Sequence, residues 1–187
     1  IGRSVLLHND GTGKFTSAMA QVGMRPSFGP ATMNAADYDN DGWPDFFVTD
    51  MHSDMWIAET TALEEVDTTA RYPTAGGAEA GPPGDNPTGV LYGNALWLGK
   101  DGKSFTEAAQ AWRAETFQPW GNVPEDFDND GRVDVFIPSG MSNPYDYFPN
   151  IYLHNEGDRF AEQQASAGFD PPPGGPFDSS LRIEGQP

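Results

Sequence analysis

Apolar residues in this chain fall into short runs cut off by turn-forming residues. Five runs have the β-branched and aromatic character of strands: Ser4–His8, Phe46–Thr49, Ala95–Leu98, Val135–Pro138 and Ile151–His154. No segment carries the 3.6-residue apolar period over three turns that an amphipathic helix needs. Three of the runs open a common pattern. Val5-Leu-Leu-His-Asn leads through Gly11 and Gly13 to Phe15, Ala95-Leu-Trp-Leu-Gly through Asp101-Gly102 to Phe105, and Ile151-Tyr-Leu-His-Asn through Glu156-Gly157 to Phe160. Each predicts a strand, a glycine-containing turn and a second strand opening at the Phe.

Self-comparison exposes a second repeated element. Asp37-Tyr-Asp39-Asn-Asp41-Gly42-Trp-Pro-Asp45 returns 89 residues later as Asp126-Phe-Asp128-Asn-Asp130-Gly131-Arg-Val-Asp134. Both copies lead into β-forming residues. Phe15 stands 22 residues before Asp37 and Phe105 stands 21 before Asp126, so the repeating unit reads hairpin, linker, acidic loop, strand. The fold class expected is all-β: β-propeller blades, two full repeats plus the start of a third, forming part of a larger propeller or assembly. The expected organisation is a first unit over 1–50, an insertion loop between units over 51–92, a second unit over 93–140, the start of a third over 141–170, and a tail over 171–187. The insertion is rich in Gly, Pro, Thr and Ala, with one helical turn expected near Thr61–Val66. The Pro- and Gly-rich tail reads as extended or disordered.

Charge sharpens this picture. The 187 residues hold 28 acids and 10 bases, a net charge of −18, and no cysteine. Such a charge disfavours a nucleic-acid groove, because phosphates would be repelled. No apolar run approaches the roughly 20 residues of a membrane helix. Without cysteine there is no disulfide framework, thiol catalysis or thiolate metal site. The chain opens at Ile1 without a signal peptide, which reads as a processed chain or a segment of a longer one.

The acids are mainly Asp, which suits turns and short-armed metal ligation. Numbered from its first Asp, each loop carries carboxylates at positions 1, 3, 5 and 9 and glycine at 6. Alternate carboxylates converge when the chain curls, Gly42 and Gly131 permit the sharp turn, and the carbonyl of position 7 turns inward. The candidate ligands are therefore Asp37, Asp39, Asp41, Trp43 (carbonyl) and Asp45 in one loop, and Asp126, Asp128, Asp130, Arg132 (carbonyl) and Asp134 in the other. Six or so hard oxygen ligands suit Ca²⁺, giving two expected calcium sites; Mg²⁺ prefers a tighter octahedron. No His or Cys lies within either loop, which disfavours Zn²⁺ and Cu²⁺. An EF-hand would need Glu at position 12, where Val48 and Ile137 stand, and flanking helices, where β-formers stand.

These residues resemble the FG-GAP/VCBS-type calcium repeat of integrin α-chain propellers and exported bacterial proteins. The family pattern D-x-D-x-D-G-x-x-D is matched at Asp37–Asp45 and Asp126–Asp134. Its preceding Phe-Gly is matched by Phe28-Gly29 and loosely by Trp120-Gly121, and Asn9–Phe15 looks like its hairpin. Val48–Met55 is similar to proteins with ASPIC/UnbV-type tails. The resemblance covers roughly 4–55 and 94–169. It implies a propeller, an extracellular, periplasmic or cell-surface location, and a binding or adhesion role; it does not imply a catalytic activity. Family propellers close with about seven blades, so the partners implied are other protein chains or further blades of a longer chain, with glycan as another candidate.

Other residues are weighed against plainer roles. Asp50, His52 and Asp54 offer a second metal or His–Asp site, or simply a polar turn. His8 and His154 occupy equivalent positions, which points to a structural repeat role. Trp97 and Trp120 read as core; Trp56 and Trp112 are less constrained and suit surface contacts. The aromatic stretch Asn143–Pro149 suits a partner contact or packing between units. No nucleophile or phosphate-loop motif is present, so no catalytic residue is expected. Two alternatives stay open: a lyase or hydrolase acting on polysaccharide from a propeller platform, and a structural subunit of a large extracellular assembly.

Overall fold

The computed structural model describes residues 4–27, 29–50, 91, 93–116, 119–139 and 150–169. Ten strands run in chain order: β1 (Leu7–Asn9), β2 (Phe15–Ser17), β3 (Pro30–Ala36), β4 (Asp45–Asp50), β5 (Ala95–Lys100), β6 (Ser104–Glu107), β7 (Val123–Glu125), β8 (Asp134–Ile137), β9 (Ile151–Asn155) and β10 (Phe160–Glu162). One helical turn, α1 (Gln164–Ala167), follows. The protein is all-β, as its patterning predicts. β3-β4-β5-β6 and β7-β8-β9-β10 form two four-stranded antiparallel sheets with sequential neighbours, and β1-β2 form a separate hairpin. This up-and-down arrangement is that of a propeller blade.

All five predicted strands among the described residues exist, with shifted ends; Ser4–His8 becomes Leu7–Asn9. Two strands were not expected. The linkers ahead of the acidic loops contain β3 and β7, each hairpinned through the loop to β4 or β8. The sheets are therefore phased differently from the sequence repeat. A sheet begins before the acidic loop and ends after the following hairpin, so Ile151–Glu162 supply the outer strands of the second sheet. The 51–92 insertion, expected between units, instead connects β4 and β5, which pair within one sheet: Phe46 lies opposite Trp97 and Val48 opposite Ala95. Sequence periodicity gives the spacing of a repeat but not which half of it hydrogen-bonds to which. The helical turn expected near Thr61–Val66, the aromatic stretch 143–149 and the tail from 171 lie outside the described residues.

Central strands carry the core. β4 (DFFVTD) and β5 (ALWLGK) are buried along most of their length, as strands covered on both faces must be. One apolar cluster sits between the sheets. Tyr38, Phe47 and Leu96 from the first meet Val135, Ile137, Leu153 and Phe160 from the second. A second cluster packs Val48, Ala95 and Trp97 against Leu6, Val22 and Met24, from the β1-β2 hairpin and the turn after it. Successive sheets thus stack face to face. Trp97 is core as expected, but Trp120 is 56% exposed, and Trp112, expected at the surface, is buried at 6% in the inter-sheet cluster. Trp112 belongs to a third repeated feature that periodicity did not reveal. A tight turn follows each hairpin, with Val22, Trp112 and Ala167 N–H donating to the carbonyl oxygens of Ala18, Ala108 and Gln163. The residue after each, Gly23, Arg113 or Gly168, has positive φ. In the second copy the turn folds Trp112 under the hairpin into the inter-sheet cluster, and in the first Val22 packs against the neighbouring cluster, whereas Ala167 of the third is exposed.

Candidate metal centre

The acidic loops join β3 to β4 and β7 to β8, and their backbones agree in detail. Asn40 and Asn129 at position 4 have φ of 56° and 61°, and Gly42 and Gly131 have φ of 89° and 86°. Asn tolerates the left-handed region better than most residues and glycine enters it freely. Both loops therefore close through two left-handed residues. Sequence reasoning singled out the glycine and missed the Asn, although Asp-Asn-Asp-Gly stands in both loops and was its signal.

Carboxylates knit each loop through hydrogen bonds to its own backbone. Asp37 accepts hydrogen bonds from Asp41 N–H (3.1 Å) and Gly42 N–H (2.9 Å), Asp39 accepts from Asp41 N–H (3.2 Å), and Asp41 Oδ1 accepts from Trp43 N–H (2.8 Å). The second loop repeats each bond: Asp126 accepts from Asp130 and Gly131, Asp128 from Asp130, and Asp130 from Arg132. The result gathers Asp37, Asp39 and Asp41, and separately Asp126, Asp128 and Asp130, with carboxylate oxygens within 4.8 Å of one another. Burial first, then the neighbouring Asp41 charge, raises the Asp39 carboxyl above its ordinary value. A positive ion among these oxygens would relieve that repulsion. The two loops are neighbours, since Asn40 Nδ2 donates to Gly131 O at 3.2 Å.

Position 9 behaves differently. Asp45 is fully buried. Its Oδ2 accepts from Tyr38 N–H (2.8 Å) and its Oδ1 from Gly99 N–H (2.7 Å). Asp134, equally buried, accepts from Phe127 N–H, Asn155 N–H (2.8 Å) and Tyr152 O–H (2.7 Å). These carboxylates lock the loop to the following hairpin of the same sheet. Burial pushes Asp45 up to about 6, although the two N–H donors pull it down. At position 7 the N–H groups of Trp43 and Arg132 are held by the carboxylates of Asp41 and Asp130.

The second loop acquires two groups that local sequence did not reveal. β9 brings His154 Nδ1 to 3.4 Å from Asp128 Oδ2 and 3.3 Å from Asp134 Oδ1. Arg132 pairs with Asp130 and donates from Nε to Asn155 O at 2.6 Å. The first loop has Trp43 and Leu98 at these places. The first donor set is thus oxygen alone, while the second has an imidazole and a guanidinium at its edge. Both trios fit a hard divalent cation; the first fits it without a competing positive charge.

Elsewhere, Asp50 is buried and its Oδ2 accepts from Gly29 N–H at 2.9 Å. Phe28, His52, Asp54 and Trp56 lie outside the described residues. No helix among the described residues is long and apolar enough to cross a membrane.

Comparison with known families agrees with this architecture. Residues 2–48 match the model of the FG-GAP-like repeat, a span that takes in the first hairpin, β3, the first acidic loop and β4 as far as Val48. A search of curated proteins gave no match.

Proposed function

We propose that this chain is a calcium-stabilised, non-catalytic binding or assembly module built of propeller blades and working outside the cytoplasm. The observation that carries the reading is the duplicated loop, with two carboxylate trios on superimposable hydrogen-bond frames. An FG-GAP-like repeat over residues 2–48 supports the binding role. Calcium draws the carboxylates of positions 1, 3 and 5 onto one ion, while Asp45 and Asp134 transmit that order to β5 and β9. The ion's role is structural: it removes carboxylate repulsion and fixes the β3-β4 and β7-β8 connections. Extracellular fluid, with millimolar calcium, keeps such loops filled.

A catalytic role for Asp50 has little support, because its buried carboxylate is engaged with the Gly29 amide. Calorimetric titration of the chelator-treated chain tests the proposal. Two calcium ions per chain are expected, falling to one in Asp37→Asn and in Asp126→Asn. Absence of binding at millimolar calcium would overturn it.

A further inference from the structure

The two acidic loops belong to different sheets, yet hydrogen bonds tie the frame of one to the frame of the other. The main tie is Asn155, at the end of β9 and fully buried. Its Nδ2 donates to Tyr38 O at 2.8 Å and to Val133 O at 3.0 Å. Tyr38 stands between the first-loop carboxylates Asp37 and Asp39, and its own N–H is held by Asp45. Val133 precedes Asp134, whose Oδ1 accepts the Asn155 N–H at 2.8 Å. One carboxamide therefore touches both loops, and the same residue's backbone holds the last carboxylate of the second. The other tie is the exposed Asn40, between Asp39 and Asp41. Its Nδ2 donates to the Gly131 carbonyl, while the Gly131 N–H is held by Asp126. The first sheet cannot repeat the buried tie, because Gly99 stands where the second has Asn155 and offers no side chain.

We infer that Asn155 and Asn40 are positioning residues that couple the two loops, so that a cation in either loop raises the affinity of the other. The inference rests on the calcium reading proposed above and adds a property which that reading does not contain. A cation must hold its carboxylates converged, and affinity is reduced by the freedom a loop loses on binding. A cation in the second loop would fix the Gly131 carbonyl and, through Val133 and Asp134, the Asn155 carboxamide. These in turn restrain Asn40 and Tyr38, the two residues interleaved with the first-loop carboxylates. The first loop then has less freedom left to lose. Linkage makes the effect mutual. The tie through Asn155 is the stronger, since its bonds are buried away from competing water. Repulsion between the two ions works against the coupling and is weakened by salt at physiological ionic strength.

Calorimetric titration of the full chain with calcium measures the coupling. Asp126→Asn and Asp37→Asn each give the association constant of one loop alone, and the parent gives the product of both steps. That product divided by the two single-loop constants is the coupling factor. A factor of about three or more is expected, the scale of one or two hydrogen bonds. It should fall in Asn40→Gly, made in all three backgrounds, because glycine keeps the left-handed backbone and loses only the side-chain bond. It should fall further in Asn155→Ala. A cost to one loop alone enters the product and the single-loop constant alike, so a merely structural role for either Asn leaves the factor unmoved. Near-ultraviolet circular dichroism verifies each fold, and Asn40→Gly decides by itself if Asn155→Ala does not fold. A factor of one or below in a parent that binds two ions would overturn the inference and leave the calcium reading standing. So would a factor equal in the parent and the Asn variants. Absence of binding in every chain would overturn both.

Discussion

At position 9 of each loop a carboxylate is withdrawn from solvent and set against backbone N–H groups, and the consequences are specific. Asp45 has a folded-state value of about 6 against an ordinary 3.8. The metal-free fold therefore holds this proton more tightly than the unfolded chain. Its contribution is fully present below about pH 4, declines as pH rises through 6, and levels off above. In chelator, the pH dependence of stability between 4 and 7 should be shallower in Asp45→Asn than in the parent, measured by urea denaturation. With calcium bound the ionised carboxylates are favoured, so the stabilisation by calcium should grow over the same interval. Position 7 separates the two loops. Arg132 lies against Asp130, where the first loop has the neutral Trp43. Calcium titration of the single-loop variants should find the first loop tighter, and Arg132→Gln should tighten the second loop severalfold, an effect of about 1 kcal/mol. Gly99 marks a close approach: a Cβ there would fall on the carbonyl oxygen of Pro44. Gly99→Ala should cost about 1–3 kcal/mol in a thermal melt, by strain in a packed site.

Among the elements, the central strands dominate stability. Phe47 and Leu96 are fully buried between the sheets, so truncating either to Ala should cost about 2–5 kcal/mol. Strands were legible in the sequence where burial demanded β-branched and aromatic residues, as in Asp45–Asp50 and Ile151–Asn155. They were not legible in β3 and β7. Pro30–Ala36 (PATMNAA) holds Ala, Asn and Pro in place of strong β-formers, and Val123–Glu125 has three residues. Part of what holds this region is polar: Asn34 Nδ2 bonds Asn122 O and Oδ1 (both 2.7 Å), and Asn122 Nδ2 bonds Thr32 Oγ1. The acidic trios were legible because their ligand spacing is contiguous. His154 was not, since it stands 20 residues past Asp134 and only sheet pairing brings it there. Trp112 was misjudged for a related reason, as its burial depends on a turn whose defining left-handed residue is Arg113, not glycine.

Across the whole molecule, a hairpin and two sheets stack in sequence, each sheet presenting equivalent positions to the next. Tyr38, Phe47 and Leu96 of the first sheet are buried against the second. Their equivalents Phe127, Phe136 and Tyr152 instead gather around Phe169, with Phe136 and Phe169 ring centroids 5.1 Å apart. The stack is held by apolar faces, while the net charge of −18 opposes compaction. Calcium at the two loops, as proposed above, would act on that balance directly. At a hundredfold excess over Kd each proposed site would add about 2.7 kcal/mol, and two would raise the melting temperature of a chain this size by roughly 10–20 °C. The most direct measurement is the melting temperature of the chain in millimolar calcium and in chelator, alongside Asp37→Asn/Asp126→Asn. The account predicts a rise of that order in the parent and little or none in the double variant. Equal melting temperatures in calcium and chelator for the parent would contradict it.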